Sequence, residues 1–299
     1  MAAALSPAAR AHLRECMRRE ASRPIQPEVA TLVAALRQRF GEQFAGALYY
    51  GSCRRQAEPE GVIDLHVLLH EPQSVLGAVS ATLCRLLPPN VYYLEVAHNG
   101  ATVRCKYAVL SVAQFHSSCT RSAFHSYFWA RYAQPLTLIE FADHETALDS
   151  LVTAVETLAV RSLPRVEPGA DWHDFWVQTL SLCYRAELRA EGGGRAEVLV
   201  AGHPDHYREL GTTVLEDLPR GRRGSARLAW ALRIALGKPL SLARLIKGLY
   251  TFDGGLDYVA WKLERHTGRP VPIPERVRRW PLIFLWPLIF KLWREGMFR

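Results

Sequence analysis

The sequence has no Cys-x-x-Cys pair and no zinc-finger spacing among its six cysteines, at positions 16, 53, 84, 105, 119 and 183. That excludes the common structural zinc frameworks, and the cysteines read as reduced thiols of a reducing compartment. No apolar run reaches the ~18–20 residues that a membrane-crossing helix needs. The first residues lack the apolar stretch of a secretory signal. Their Ala/Arg-rich composition is that of an organelle transit segment, but Glu15 and Glu20 speak against one. Acidic residues are in deficit: 29 Asp and Glu stand against 37 Lys and Arg, a formal charge of +8. Such a balance favours an anionic partner, whether nucleic acid, nucleotide or anionic lipid. Hydrophobic residues make up 49% of the 299 positions, which suits a globular chain with a good core and, by length, two domains.

Ser6-Pro7 is an N-cap followed by proline at the first helical position, so a helix is predicted to about Glu20. Val29, Leu32, Val33 and Leu36 recur at helical spacing over 28–40. Strands are predicted at 46–50 and 62–69, and a helix over 74–87 ending at Pro88-Pro89. Asn99-Gly100 between 91–98 and 101–110 is a two-residue hairpin signal. Its alternation puts Tyr93, Glu95, Arg104 and Lys106 on one face and Tyr92, Leu94, Val96, Val103, Cys105 and Tyr107 on the other. The hairpin is expected beside the 62–69 strand. One helix is predicted over 111–133, a strand at 136–140, a helix over 145–162 and a linker at 164–169. Beyond it, Asp171 caps a helix to about Arg189, Ala201–Leu210 is helical, and 225–236 and 240–264 form two amphipathic helices. The triple glycine at 192–194 lacks the lysine spacing of a phosphate loop and reads as a turn. Arg220, Arg222 and Arg223 form a basic loop, suited to phosphate contact or to solvation.

The stretch 46–69 carries the chemistry. Gly51-Ser52 closes a strand, eleven residues follow, and Asp64-Leu65-His66 lies on the next strand. This resembles the nucleotidyltransferase site of the DNA polymerase beta superfamily. There a glycine lets the backbone turn closely onto a triphosphate, a serine offers its hydroxyl and N–H to phosphate oxygens, and strand carboxylates hold Mg²⁺. His66 stands where the second acid would be, so Glu95 or Glu71 is the expected partner of Asp64 on the metal. Lys106, Tyr93 and Arg131 are the expected contacts to the nucleotide and its developing charge.

The C-terminal segment has its own pattern. Arg276, Arg278 and Arg279 precede Trp280, Trp286 and a proline-broken apolar run, and Lys291 and Trp293 follow. Tryptophans beside basic residues suit a segment lying in a membrane interface, attracted to anionic lipid.

Taken in order, the motifs make the chain similar to the mitochondrial-type phosphatidate cytidylyltransferases, the peripheral-membrane CDP-diacylglycerol synthases. The likeness runs from Tyr50-Gly51-Ser52 and Ile63-Asp64 through His70-Glu71-Pro72, Val91-Tyr92-Tyr93, Asn99-Gly100, Lys106–Ser111 and Tyr127 with Arg131 and Pro135. It continues in Leu182–Arg189, His206–Leu210 and Ser241–Gly248. Departures are Cys53 after the Gly-Ser pair, His70 in the loop, and Glu187 where the family has aspartate. The family also lacks an acid at the position of His66. The resemblance implies an α+β fold: a nucleotidyltransferase mixed sheet with helices over 1–163, a helical winged-helix-like domain over 170–238, and membrane-associating helices over 239–299. It implies Mg²⁺-dependent transfer from CTP to phosphatidic acid, with catalytic Asp64 and Lys106 beside Gly51 and Ser52. It also implies a peripheral position on the cytoplasmic face of a membrane, or on the matrix side of an organelle's inner membrane. An anionic membrane surface is the expected partner, nucleic acid is not, and an oligomer is compatible with the sequence. The residues by themselves leave open a nucleotidyltransferase with another acceptor, a nucleic-acid-binding module, and a degenerate membrane scaffold.

Overall fold

The computed structural model describes residues 4–55, 61–188, 194–221, 223–251, 264, 273–279 and 287. The chain is α+β, a mixed five-stranded sheet with helices on both faces. Helix α1 (Pro7–Ala21) begins where Ser6 caps it, its hydroxyl accepting from the Ala9 N–H. Ser6 also donates its own N–H and hydroxyl to Asp217, at 2.7 and 2.6 Å. Leu13, Cys16 and Met17 on one side of α1 are buried against α6 (His144–Ser162) and α9 (Pro204–Asp217). Helix α2 (Pro27–Phe40) buries Val29, Leu32, Val33 and Leu36, the stripe its spacing predicts.

Strands β1 (Phe44–Tyr50), β2 (Val62–Leu69), β3 (Asn90–His98), β4 (Ala101–Ser111) and β5 (Thr137–Ile139) run in the order β3-β4-β2-β1-β5. β2 and β4 are parallel and the other pairs antiparallel. The hairpin register is the one its turn dictates: Tyr93 pairs with Lys106 and Glu95 with Arg104. Asn99 and Gly100 both take positive φ, 48° and 79°, as a two-residue turn of this hand requires. β2 rises through the middle of the sheet. Ile63, Leu65, Val67 and Leu69 face α2 together with Tyr92, Cys105, Tyr107 and Val109. Leu68 faces the larger core with Leu48, Leu110 and Leu138, under α4 (Val112–Cys119), α5 (Tyr127–Tyr132) and α6. Helix α3 (Ala78–Leu86) lies between β2 and β3 in the chain.

Several elements differ from expectation. The single helix predicted over 111–133 is two, α4 and α5. After Cys119 the Thr120 hydroxyl donates to the Ser117 carbonyl and meets Ser122, local hydrogen bonds that compete with helix continuation. The 164–169 segment, expected as a linker, places Val166 inside the larger core beside Leu163, and that core continues into α7 (Trp172–Arg185), α8 (Arg195–Ala201) and α9. Among the described residues of 170–238 every element is helical, with no strand to form a wing. The two helices expected on either side of Gly237-Lys238-Pro239 are one, α10 (Arg223–Thr251). Proline forgoes one helical hydrogen bond there, and contacts on both sides hold the axis through. A Cβ on Gly237 would stand 2.2 Å from the Ala186 carbonyl oxygen. Arg233 donates to Phe124 O, Arg244 to Pro88 O, and Lys247 to Leu87 O and Pro89 O. The basic loop is occupied with carbonyls: Arg220 donates to Val166 O and Glu167 O.

All six cysteines are buried and none is in a disulfide. No helix among the described residues is long and apolar enough to cross a membrane. Arg276, Arg278 and Arg279 belong to a short helix, α11 (Glu275–Arg279). Trp280, Trp286, Lys291 and Trp293 lie outside the described residues.

Candidate active site

The site forms at the end of β1, where β2 and β4 begin. Tyr50 pairs with Asp64 and Asp64 with Lys106 across three adjacent strands. The Lys106 ammonium reaches the Asp64 carboxylate at 2.8 Å, with about a third of each side chain open to solvent. Gly51 has φ +93°, and a Cβ there would meet the second Asp64 oxygen at 3.0 Å. Both facts demand glycine: the backbone is in a region that side chains avoid, and it lies against the carboxylate. Ser52 is exposed at the head of the short turn Ser52–Arg55. Arg54 anchors this turn from beneath, donating to the Glu20 carboxylate and to Thr137. Cys53, in place of the expected glycine, is buried with its thiol toward Val62 O.

Glu95 lies on the same face, two strands from Asp64, about 10 Å across the sheet. It accepts from the Tyr93 hydroxyl at 2.8 Å and the Arg104 guanidinium at 2.9 Å. Burial and this carboxylate hold the Tyr93 hydroxyl well above its ordinary range. Glu71 is not brought to the site. It follows the far end of β2, roughly 20 Å from Asp64 at strand rise, where its N–H donates to Gln43 and its carboxylate accepts from Ser74. As a co-ligand of Asp64 it is corrected by the strand direction itself.

The structure places His66 in the core. It shares the face of Asp64 but sits one step deeper, fully buried among Tyr50, Phe128 and Tyr132. Its Nδ1 meets the Tyr132 hydroxyl at 3.2 Å. A carboxylate here would be sealed under α5 instead of facing the turn. Burial, then Arg131 and Lys106, push the imidazole down to about 3. His206, whose Nε2 meets Ala133 O, is pushed by burial to about 4. Both rings are therefore neutral in the fold, while the unfolded chain binds protons below about 6.5. Stability is expected to be lost as pH falls from 6.5 towards 4, because the unfolded state takes up protons that the native state refuses. At pH 5 each ring contributes about 2 kcal/mol of that loss. Urea unfolding at pH 7 and pH 5 measures it. His66→Gln should narrow the difference between the two; an unchanged difference would remove His66 as a cause.

Arg131, from α5, is the third cation. It donates to both Glu187 oxygens, at 3.1 and 3.4 Å, and its guanidinium lies 3.5 Å from the centre of the Tyr127 ring. Burial works against its charge, but Glu187 and the neighbouring tyrosines hold its pKa above the ordinary value. The hydroxyl of Tyr50, a half-buried residue, is raised well above its usual range by desolvation and then by Asp64. A narrow crevice of about 10 Å³, room for one water, adjoins this pair, lined by Tyr127, Glu187, Arg233, Gly237, Ser241 and Arg244. The Arg244 guanidinium lies 4.9 Å from the centre of the Tyr127 ring, and Arg233 lies over Phe124, Trp129 and Trp230. Among the described residues no carboxylate pairs with Arg233. The sequence signal for Glu187 is its place in Leu182–Arg189; Arg54, Arg233 and Arg244 carry none beyond helical spacing, because their roles come from long-range contacts.

The Asp64 carboxylate beside the Gly51 turn could take part in holding Mg²⁺. That ion is commonly held by one or two carboxylates plus substrate phosphates. Asp64 is the residue the geometry offers, with Glu95 at the margin. No model of a known protein family matches the chain, and no curated protein matches it.

Proposed function

We propose that the protein is a phosphatidate cytidylyltransferase of nucleotidyltransferase fold, joining CTP and phosphatidic acid into CDP-diacylglycerol with release of pyrophosphate. The reading rests above all on Gly51 closing on Asp64 with Lys106 alongside, taken with the ordered family resemblance of the sequence. The Gly51-Ser52 turn would cradle the β- and γ-phosphates. Asp64 would hold Mg²⁺, which neutralises triphosphate charge when bound. Lys106 would meet negative charge developing at the α-phosphate. The lipid phosphate is already anionic at neutral pH, so its oxygen attacks the α-phosphorus with little need of a general base as the bond to pyrophosphate breaks. Catalysis is then positioning and charge neutralisation.

The acceptor would approach along α10. Leu228, Leu232, Leu236, Leu242, Leu245 and Ile246 are exposed on that helix, while Arg233 and Arg244 on its inner side hold it to the protein. An exposed apolar stripe of this kind suits a lipid interface. With the basic, tryptophan-rich segment of 276–299 it supports a peripheral position on an anionic membrane surface. The test is incubation with labelled CTP, Mg²⁺ and phosphatidic acid vesicles. Label is expected in a lipid-soluble CDP product, and a chain lacking 276–299 should sediment less with the vesicles. Label transferred to a water-soluble acceptor, or to none, would overturn the assignment.

A further inference from the structure

A second cluster of ligating side chains lies away from this site, where α1 packs on α9. His12 and Cys16 stand one helical turn apart on α1, and Glu209 faces them from α9. One donor atom from each lies within 4.8 Å of the other two. His12 Nε2 is 3.5 Å from Glu209 Oε1. The other carboxylate oxygen, Oε2, accepts from Arg19. We propose that His12, Cys16 and Glu209 form a Zn²⁺ site that staples α1 to α9.

The chemistry of the donor set selects the metal. A sulfur and an imidazole nitrogen prefer Zn²⁺ to the oxygen-seeking Mg²⁺. Around tetrahedral zinc, donors at about 2.0–2.3 Å from the metal stand roughly 3.3–3.8 Å from one another, so from separations within 4.8 Å a contraction of at most about 1.5 Å suffices. Zn²⁺, one thiolate and one carboxylate sum to zero charge. The Cys16 thiol gives up its proton to solvent as the Zn–S bond forms, and no oxidant or reductant is involved. Arg19 then has a defined place. It holds Oε2 and turns Oε1 towards the metal, the outer-shell arrangement usual for a ligating carboxylate. Three protein ligands leave a fourth position. Cys16 is buried, but half of the His12 side chain is exposed, so that position opens to the polar cleft lined by Ser6, Ala9, Arg208, Thr212 and Thr213.

The test uses the full chain, stripped with a chelator and titrated with Co²⁺ and then Zn²⁺. One equivalent of Co²⁺ should produce a sulfur-to-metal charge-transfer band, Zn²⁺ should abolish it, and excess Mg²⁺ should not. About one proton should be released per metal. Cys16→Ser should remove the band, exposed His12→Ala should weaken binding at least about tenfold, and Arg19→Ala should weaken it roughly tenfold. Zn²⁺ should raise the melting temperature of the wild type and not of His12→Ala. Absence of the band in the wild type, or its persistence in Cys16→Ser, would overturn the site. None of these readouts depends on nucleotidyl transfer.

Discussion

Asp64→Ala is expected to abolish CDP-diacylglycerol formation while leaving the protein folded. The two halves of this expectation have separate physical origins. The Asp64 side chain is 29% exposed and makes its ion pair with a Lys106 side chain that is 38% exposed. A pair screened by that much water is worth at most about 1 kcal/mol to stability. In the proposed reaction, however, Asp64 is the carboxylate that faces the Gly51 turn and would place Mg²⁺ on the triphosphate. Loss of such electrostatic stabilisation costs on the order of 10²–10³ in rate for a single donor, and more where it also removes the metal. Product formation from labelled CTP, measured beside a thermal melt, separates the two effects. Activity within tenfold of the wild type would sink the role of Asp64. A collapsed melt would show instead that the pair with Lys106 holds the sheet together.

Glu187→Ala should be the most destabilising single change near the site. The carboxylate is 9% exposed and the Arg131 side chain 16%, and they are joined by two hydrogen bonds. Removing one partner strands a buried guanidinium among Tyr50, Tyr127 and Arg244, where the nearest other cation repels it. The expected loss is about 3–5 kcal/mol, read as a shift of the urea midpoint. Replacing both partners with apolar residues of similar volume, Arg131→Met with Glu187→Leu, should restore much of it, because no unpaired charge remains. In the proposed reaction the same double variant would still lack the cation expected at the nucleotide, so stability and activity should part company. A Glu187→Ala loss below about 1 kcal/mol would mean that water reaches Arg131.

Local patterns in the sequence were sufficient for most of the sheet. Asn99-Gly100 determined the hairpin, and the hairpin determined which residues face Lys106, since its period of two leaves no latitude once the turn is placed. Gly51 was legible for the same reason: a glycine after a strand and before a serine invites a positive φ. What could not be read was anything decided by distant packing. Glu71 follows Asp64 closely in sequence, but an extended strand carries it away from the site. The burial of His66 comes from Phe128 and Tyr132 of α5, more than sixty residues further along the chain. Helix α10 runs through Pro239 because Ala186, Pro88 and Leu87 grip it from elsewhere in the chain. Composition and helical periodicity hold no information about such grips.

The seam between α1 and α9 has a consequence for how the chain is made. Ser6 closes on Asp217, and Leu13, Cys16 and Met17 are covered by residues of 144–162 and 204–217. Synthesis proceeds from the N-terminus, so α1 leaves the ribosome first and its partners follow much later. A nascent chain that ends before Pro204 has an amphipathic helix with part of its apolar side still in water. Closing so long a loop is slow relative to forming the local hairpin. The earliest helix in the sequence is thus among the last to be docked, and until then a chaperone has a defined apolar stripe to shield.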